Sequence, residues 1–188
     1  MVIWNNSLCA PVLITYNRAD YLDKSLNKFY KLRDQGLILH VLDNCSNDST
    51  FQIVKKWQEK WPELVYHKNT YNIGGNANIL RAIEITKSEY IWIIGDDDLW
   101  FMYNIKELIE VLNNNIADII RLGWLVQDGE RGKYLPATNL FNSEGLFFAS
   151  VSMISSTIVR RSLIVPSLPW AYMNISCMYP QLVGIIKA

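Results

Sequence analysis

At 188 residues the chain has the length of about one domain, and with half its residues hydrophobic and 19% charged it can build a real core. Its 18 lysines and arginines balance 18 aspartates and glutamates, and a neutral chain without a basic run argues against broad electrostatic binding of nucleic acid. No uninterrupted apolar stretch reaches the length a membrane span needs.

Two periodicities alternate through the first hundred residues. "PVLITY", Pro11 to Tyr16, is a short apolar run that reads as a strand. "ADYLDKSLNKFYKLRDQG" follows with Leu22, Leu26 and Phe29 at helical spacing, Asp20 as the expected N-cap and Gly36 past the end. "LILHVLD", Leu37 to Asp43, is the second strand. "SNDSTFQIVKKWQEKW" is a helix with Ser, Asp and Thr as caps and Val54, Trp57 and Trp61 on one face. "ELVYHKN" reads as the third strand, "GGNANILRAIEITKS" as a helix and "EYIWIIG" as the fourth strand. "NIKELIEVLNNN" is a helix with Ile105, Leu108, Ile109 and Leu112 as its buried stripe.

After Asn115 the pattern changes. "ADIIRLGWLVQDGERGKYLPATN" predicts a hairpin turning at Asp128-Gly129. "FFASVSMISSTIVRRSLI" suits a short helix and another strand. From Val165 to Ala188 the chain is aromatic, proline-broken and poor in charge, which fits a core or dimer contact or a lipid-facing surface. Cys9, Cys45 and Cys177 are odd in number and widely spaced, so they suit neither a disulfide framework nor a zinc site and fit a reducing cytoplasm. The first residues lack a basic n-region, so no signal peptide is expected. Seven tryptophans and ten tyrosines suit core packing, with some free to line a groove. With no repeat or linker, a single domain over 1–188 is expected.

Alternating β and α elements imply an α/β fold with a mostly parallel sheet covered on both faces. Ligands of such sheets bind outside the carboxyl ends of the strands, so four loops should converge. In "TYNRADY", Thr15 and Asn17 can hydrogen-bond a polar ring, Tyr16 can stack and Arg18 can pair with phosphate. The same loop also suits plain helix capping with a surface arginine. In "VLDNCSNDST", Asp43 can accept a ring N–H, while Asp48 suits either a helix cap or a ligand contact. In "NTYNIGGNANILRAI", Gly74 and Gly75 permit close backbone approach, and Asn72 and Asn78 offer amides to a ligand or to the turn. In "GDDDLW", three adjacent carboxylates, Asp96, Asp97 and Asp98, follow an apolar strand. Mg2+ or Mn2+ is bound by one or two such oxygens and would offset their repulsion.

Together these loops resemble the family 2 inverting glycosyltransferases of the GT-A fold, of the bacterial surface-polysaccharide type. "PVLITYNR", "LDNCSNDST", "NIGGNANILRAIE" and "SEYIWIIGDDDLW" carry the resemblance in that order, and "ISSTIVRRSLI" extends it to about residue 165. It implies a Rossmann-like sheet with a nucleotide-sugar-binding half at 11–100. An acceptor-side half with a small C-terminal β-hairpin follows at 101–188. Thr15 to Arg18 and Asp43 would hold the base and ribose of a UDP- or GDP-sugar. Asp96 would approach the ribose or sugar, Asp98 with Asp96 would bind Mn2+ or Mg2+, and Asp97 would share either role. The acceptor would be a glycan or lipid-linked, at the inner face of the cell membrane. The sequence sets no oligomeric state.

An inverting transfer needs a base for the acceptor hydroxyl. In the family it is an Asp or Glu well after the metal motif, yet Ser155 to Ala188 contains no Asp, Glu or His. Glu144, the last carboxylate, is the candidate. The expectation is a truncated chain or a shortened acceptor region. The alternatives are a non-catalytic donor-binding or scaffolding fragment, and a sugar-nucleotide nucleotidyltransferase. The latter would want glycine in the first loop, and "TYNRADY" has none.

Overall fold

Short apolar runs between amphipathic ones fold as their periodicities dictate. The elements are β1 (Val12–Thr15), α1 (Ala19–Phe29), β2 (His40–Asp43), α2 (Thr50–Lys60), β3 (Val65–Lys68), α3 (Gly75–Ile85), β4 (Tyr90–Gly95) and α4 (Ile105–Asn114). They continue with β5 (Ile119–Arg121), β6 (Thr157–Arg160), α5 (Arg161–Ile164), α6 (Leu168–Met173) and α7 (Pro180–Lys187). The computed structural model describes residues 3–98, 105–122, 153–177 and 179–187.

The strands form one six-stranded sheet in the order β3-β2-β1-β4-β6-β5. β3, β2, β1 and β4 run parallel, and β6 is antiparallel to both β4 and β5. This is the mostly parallel α/β sheet that the sequence predicts. The chain winds from β1 to β2 and β3 on one side, then returns to place β4 on the other side of β1. That reversal makes a switch point between β1 and β4, the place where ligands of such sheets bind.

Both faces are covered, and β4 shows how. Tyr90, Trp92 and Ile94 pack with Leu22, Leu26 and Phe29 of α1, Val54 and Trp57 of α2, and Leu108, Ile109 and Leu112 of α4. Ile91 and Ile93 pack the other way, with Leu80 and Ile83 of α3 and Ala171 of α6. Trp92 is almost fully buried, stacked on Trp4 and edge-on to Phe29.

Some expectations need adjusting. β2 begins at His40 rather than Leu37, although Leu37 and Leu39 are still buried. A 3-10 turn, Tyr30–Gln35, prolongs α1 before Gly36 ends it in the left-handed region at φ 86°. β5 pairs with β6. The predicted hairpin turn at Asp128-Gly129 lies outside the described residues, as does Glu144. The charge-poor tail is helical, and its Ala171 joins the α3-side core, while Trp170 and Met173 of α6 are exposed. Among the described residues, no helix is long and apolar enough to cross a membrane.

Candidate functional site

β1 and β4 end side by side at the switch point, and their last residues meet. The Thr15 hydroxyl donates to Asp96 Oδ2 at 2.6 Å. Arg18 Nη1 lies 3.4 Å from Asp96 Oδ1 and pairs with Asp97. Ser25, on the buried face of α1, donates to the Asp96 backbone carbonyl at 2.8 Å. Among the described residues, Arg18 is thus the cation beside the acidic run. Asp96 is buried, and burial raises its pKa against the opposing pull of the Thr15 hydrogen bond and the Arg18 charge. Asp97 is exposed.

The second loop is tied to the first. Asp43 is fully buried, with Oδ1 accepting the Ser46 amide at 2.8 Å and Oδ2 the Tyr66 hydroxyl at 2.6 Å. The Lys68 ammonium stands 3.8 Å from the same Oδ2. Burial and the Asp43 carboxylate raise the Tyr66 pKa. Asp43 therefore organises its own loop, and a ligand ring reaches it only if that cover opens. Ser46, held by Asp43, accepts the Asn17 amide at 2.8 Å, and Asn17 Oδ1 accepts the Asn47 amide at 2.8 Å. Asn17 adopts φ 52°, a left-handed value that asparagine tolerates.

Asp48 resolves its two readings in favour of capping. Its Oδ1 accepts the Thr50 amide of α2 at 3.0 Å, and its Oδ2 accepts the Ala19 amide of α1 at 3.1 Å. Asp20 lies inside the first turn of α1, with Arg18 at the N-cap position, so the predicted Asp20 cap is supplied instead by Asp48 from another loop. Burial would raise the Asp48 pKa, but bonds from Thr50 and Ala19 outweigh it and lower it.

An asparagine network joins the second loop to the third. Asn69 Nδ2 donates to Asn44 Oδ1 at 3.0 Å and to Asn78 Oδ1 at 2.8 Å. Asn44 Nδ2 donates to Asn72 Oδ1 at 2.8 Å, and Asn44 Oδ1 also accepts the Ile73 amide at 3.0 Å. Asn72 and Asn78 thus brace the turn. Gly74 sits at φ 83° and ψ 156°, a region essentially confined to glycine, and leads into α3. Asn76 Nδ2 donates to the carbonyls of Ile175 and Cys177, tying α3 to the tail. A cavity of about 440 Å³ lies here, lined by Ile73, Gly74, Gly75, Asn76, Ala77 and Ile175. Another of about 390 Å³, beside Arg33, Leu37 and Lys60, lies at the amino ends of β2 and β3, away from the strand-end loops.

Asp98 folds back on its own strand. Its Oδ2 accepts the Gly95 amide at 3.2 Å and the hydroxyl of Ser155, which stands just before β6. The Gly95 amide also donates to Ser155 Oγ at 2.8 Å.

The structure therefore gathers Thr15, Arg18, Asp96 and Asp97 into one cluster. Asn17 and Asp43 are linked into it through Ser46, and Asn72, Asn78 and Gly74 through Asn44. Tyr16 is exposed on the same loop, and Asp98 lies at the Ser155 side. Among the described residues, no group of three His, Cys, Asp or Glu side chains is arranged to hold a metal. The strand-end loops expected to converge include Asn44, Ser46 and Asn69, though without an assigned contact, while Ser25 and Ser155 were missed. A small polar residue at each position is the one signal, and it does not say which partner each serves.

Comparison with known proteins adds to this geometry. A family model described as glycosyl transferase family 2 matches residues 12–162. The chain is similar to the abequosyltransferase RfbV of Salmonella typhimurium, 32% identical over 95 residues that cover 49% of this chain and 28% of that protein. It is also similar to the glycosyltransferase MJ1057 of Methanocaldococcus jannaschii, 28% identical over 68% of this chain and 45% of that one. The chain thus spans less than half of the length of either relative. The fold is shared with the crystal structure of residues 1–349 of S. aureus TarS, also seen in complex with UDP, at TM-score 0.67 and 22% identity over 93% of this chain and 53% of that one. It is shared too with the Pyrobaculum calidifontis mannosyltransferase PcManGT in complex with GDP-Man and Mn2+, at TM-score 0.57 and 19% identity over 82% and 44%.

Proposed function

Because the chain belongs to glycosyl transferase family 2, we propose that it transfers a sugar, with inversion, from a UDP- or GDP-sugar to a glycan or lipid-linked acceptor in surface-polysaccharide assembly. The observation that carries this reading is the cross-linked floor at the switch point. Thr15 and Arg18 fix Asp96 and Asp97, so loops from two parallel strands present one rigid acidic and basic surface. Tyr16 stacks on the donor base and Arg18 meets its phosphates or ribose. Gly74 and Gly75 bring the start of α3, with its favourable field for anions, near the donor. Asp43 supports the base pocket from beneath through Ser46. The work takes place in the cytoplasm, against the membrane face for a lipid-linked acceptor.

The carboxylates at the end of β4 are hard oxygen donors of the kind Mn2+ and Mg2+ accept, and Asp98 and Asp96 would hold such an ion. A divalent ion bound there would supply neutralisation of charge on the departing diphosphate. The relatives whose structures carry UDP, UDP-GlcNAc, or GDP-Man with Mn2+ support this choice of donor and ion. Glu144 is the proposed base for the acceptor hydroxyl.

A second reading has its own observation. From Ser155 to Ala188 there is no Asp, Glu or His, which suits donor binding without transfer by these residues. One experiment separates the readings. UDP- and GDP-sugars are added with and without Mn2+, and melting is followed together with release of the sugar from them. A saturating ligand at about 100 times its Kd adds roughly 2.7 kcal/mol. At roughly 2–4 °C per kcal/mol for this size, that is a rise of about 5–10 °C, expected only with the metal. No shift with either nucleotide refutes both readings, and a shift without turnover selects the second.

A further inference from the structure

Ser155 is the one residue from the acceptor-side half, among the described residues, that hydrogen-bonds the acidic run. It is buried, and it reaches the end of β4 from 60 positions along the chain. It is held at both ends. Its backbone carbonyl accepts the indole N–H of Trp92 at 3.0 Å, and its hydroxyl accepts the Gly95 amide at 2.8 Å. The hydroxyl proton then goes to Asp98 Oδ2. The neighbouring Ser156 directs its own hydroxyl to the Met153 carbonyl at 2.8 Å, so the choice of acceptor is particular to Ser155.

The Gly95 backbone completes the clamp. Gly95 donates to the same Asp98 oxygen at 3.2 Å, and a Cβ at position 95 would stand 2.8 Å from it. Glycine there lets the carboxylate lie against the backbone. Oδ2 thus receives two neighbouring donors, the Gly95 amide and the Ser155 hydroxyl, which together hold that oxygen in place.

We infer that Ser155 is a positioning residue: with Gly95 it holds Asp98 Oδ2 so that the other oxygen, Oδ1, is presented to a divalent cation. This rests on the metal-dependent reading proposed above. Hydrogen bonds to a ligating carboxylate orient it and raise metal affinity, and losing such a partner lowers affinity about 10- to 100-fold. A hydroxyl–carboxylate bond is also charge-assisted, which makes it stronger than a bond between neutral groups. The turn just before β6 therefore reports to the acidic run: the segment that seats Ser155 also sets Asp98.

The test measures Mn2+ binding directly, by the loss of the free-ion electron paramagnetic signal, in the presence of UDP or of GDP. Ser155→Ala is expected to bind Mn2+ about 10- to 100-fold more weakly. Ser155→Thr, which keeps the hydroxyl, is expected to recover most of the affinity. Gly95→Ala crowds the same oxygen with its methyl and is expected to lower Mn2+ affinity too, so it stands in if Ser155→Ala does not fold. If wild type binds Mn2+ with a nucleotide and Ser155→Ala binds it equally, this inference is overturned while the metal reading survives. If wild type binds no Mn2+ with either nucleotide while Tm rises on nucleotide alone, the metal reading itself fails.

Discussion

Replacing Asp48 with alanine removes two helix caps at once. One carboxylate oxygen serves the Thr50 amide of α2 and the other the Ala19 amide of α1. An N-cap is worth typically about 1 kcal/mol, so Asp48→Ala should lose about 2 kcal/mol. That corresponds to a fall in Tm of about 4–8 °C for a domain of this size. Asp48→Asn keeps one acceptor oxygen and should lose about half as much. Urea titrations of wild type and both variants at pH 7 measure this, with unchanged slopes confirming that only stability moved. The sign with pH follows from the lowered pKa of Asp48. The stability that its charge adds is present above the ordinary carboxylate value of 3.8 and is lost as pH falls through the lower folded value. The gap between wild type and Asp48→Ala should therefore shrink in acid. A loss under about 0.5 kcal/mol at pH 7, the range of ordinary surface changes, refutes the double cap, as does an Asn variant no better than Ala.

Three other outcomes follow from the same structure. Asp43→Ala strands the Ser46 amide and the Tyr66 hydroxyl, and at roughly 1–3 kcal/mol for each buried group left unpaired it should unfold at clearly lower urea. Gly74→Ala has open space for its methyl but an unfavourable backbone, so it should lose about 1–3 kcal/mol while Gly75→Ala stays near wild type in the same melting assay. His40 and His67 stack on adjacent strands with 3.0 Å between ring nitrogens, and burial lowers the pKa of each, helped at His40 by His67 and at His67 by Arg81. Their neutral forms are favoured in the fold, so stability should be full above the ordinary value of 6.5 and fall as pH drops through it. A combined His40→Phe, His67→Phe variant should show a flatter profile between pH 7.5 and 5.5.

Much of the first hundred residues was legible because the signals there are local. Leu22, Leu26 and Phe29 mark one helical face, "YIWII" marks a strand buried on both sides, and Gly36 and Gly74 mark breaks where φ is positive. Parallel winding then placed the strand ends at one edge, which is why Thr15 and Asp96 were foreseeable neighbours. The links between loops were not legible. Asp20 and Asp48 look alike as caps in sequence, and three-dimensional approach alone decides that Asp48 reaches the start of α1. Asp43 reads as a ligand contact until Tyr66 and Ser46 are seen to cover it. Ser155 lies too far along the chain for any periodicity to connect it with Asp98. The return of β6 between β4 and β5 is likewise a long-range antiparallel pairing that local patterns do not encode.

That return also dictates an order of events during synthesis. β4 carries the most apolar strand of the sheet, and its outer edge is closed only when Arg160, Val159 and Ile158 line up with Tyr90, Ile91 and Trp92. A nascent chain that has completed β1 to β4 therefore emerges with that edge open until the residues of β6 leave the ribosome. Unpaired apolar edges recruit other strands, and non-local pairings form slowly. The interval between β4 and β6 is thus the period of greatest aggregation risk for this chain, and a slower passage through it lengthens the exposure.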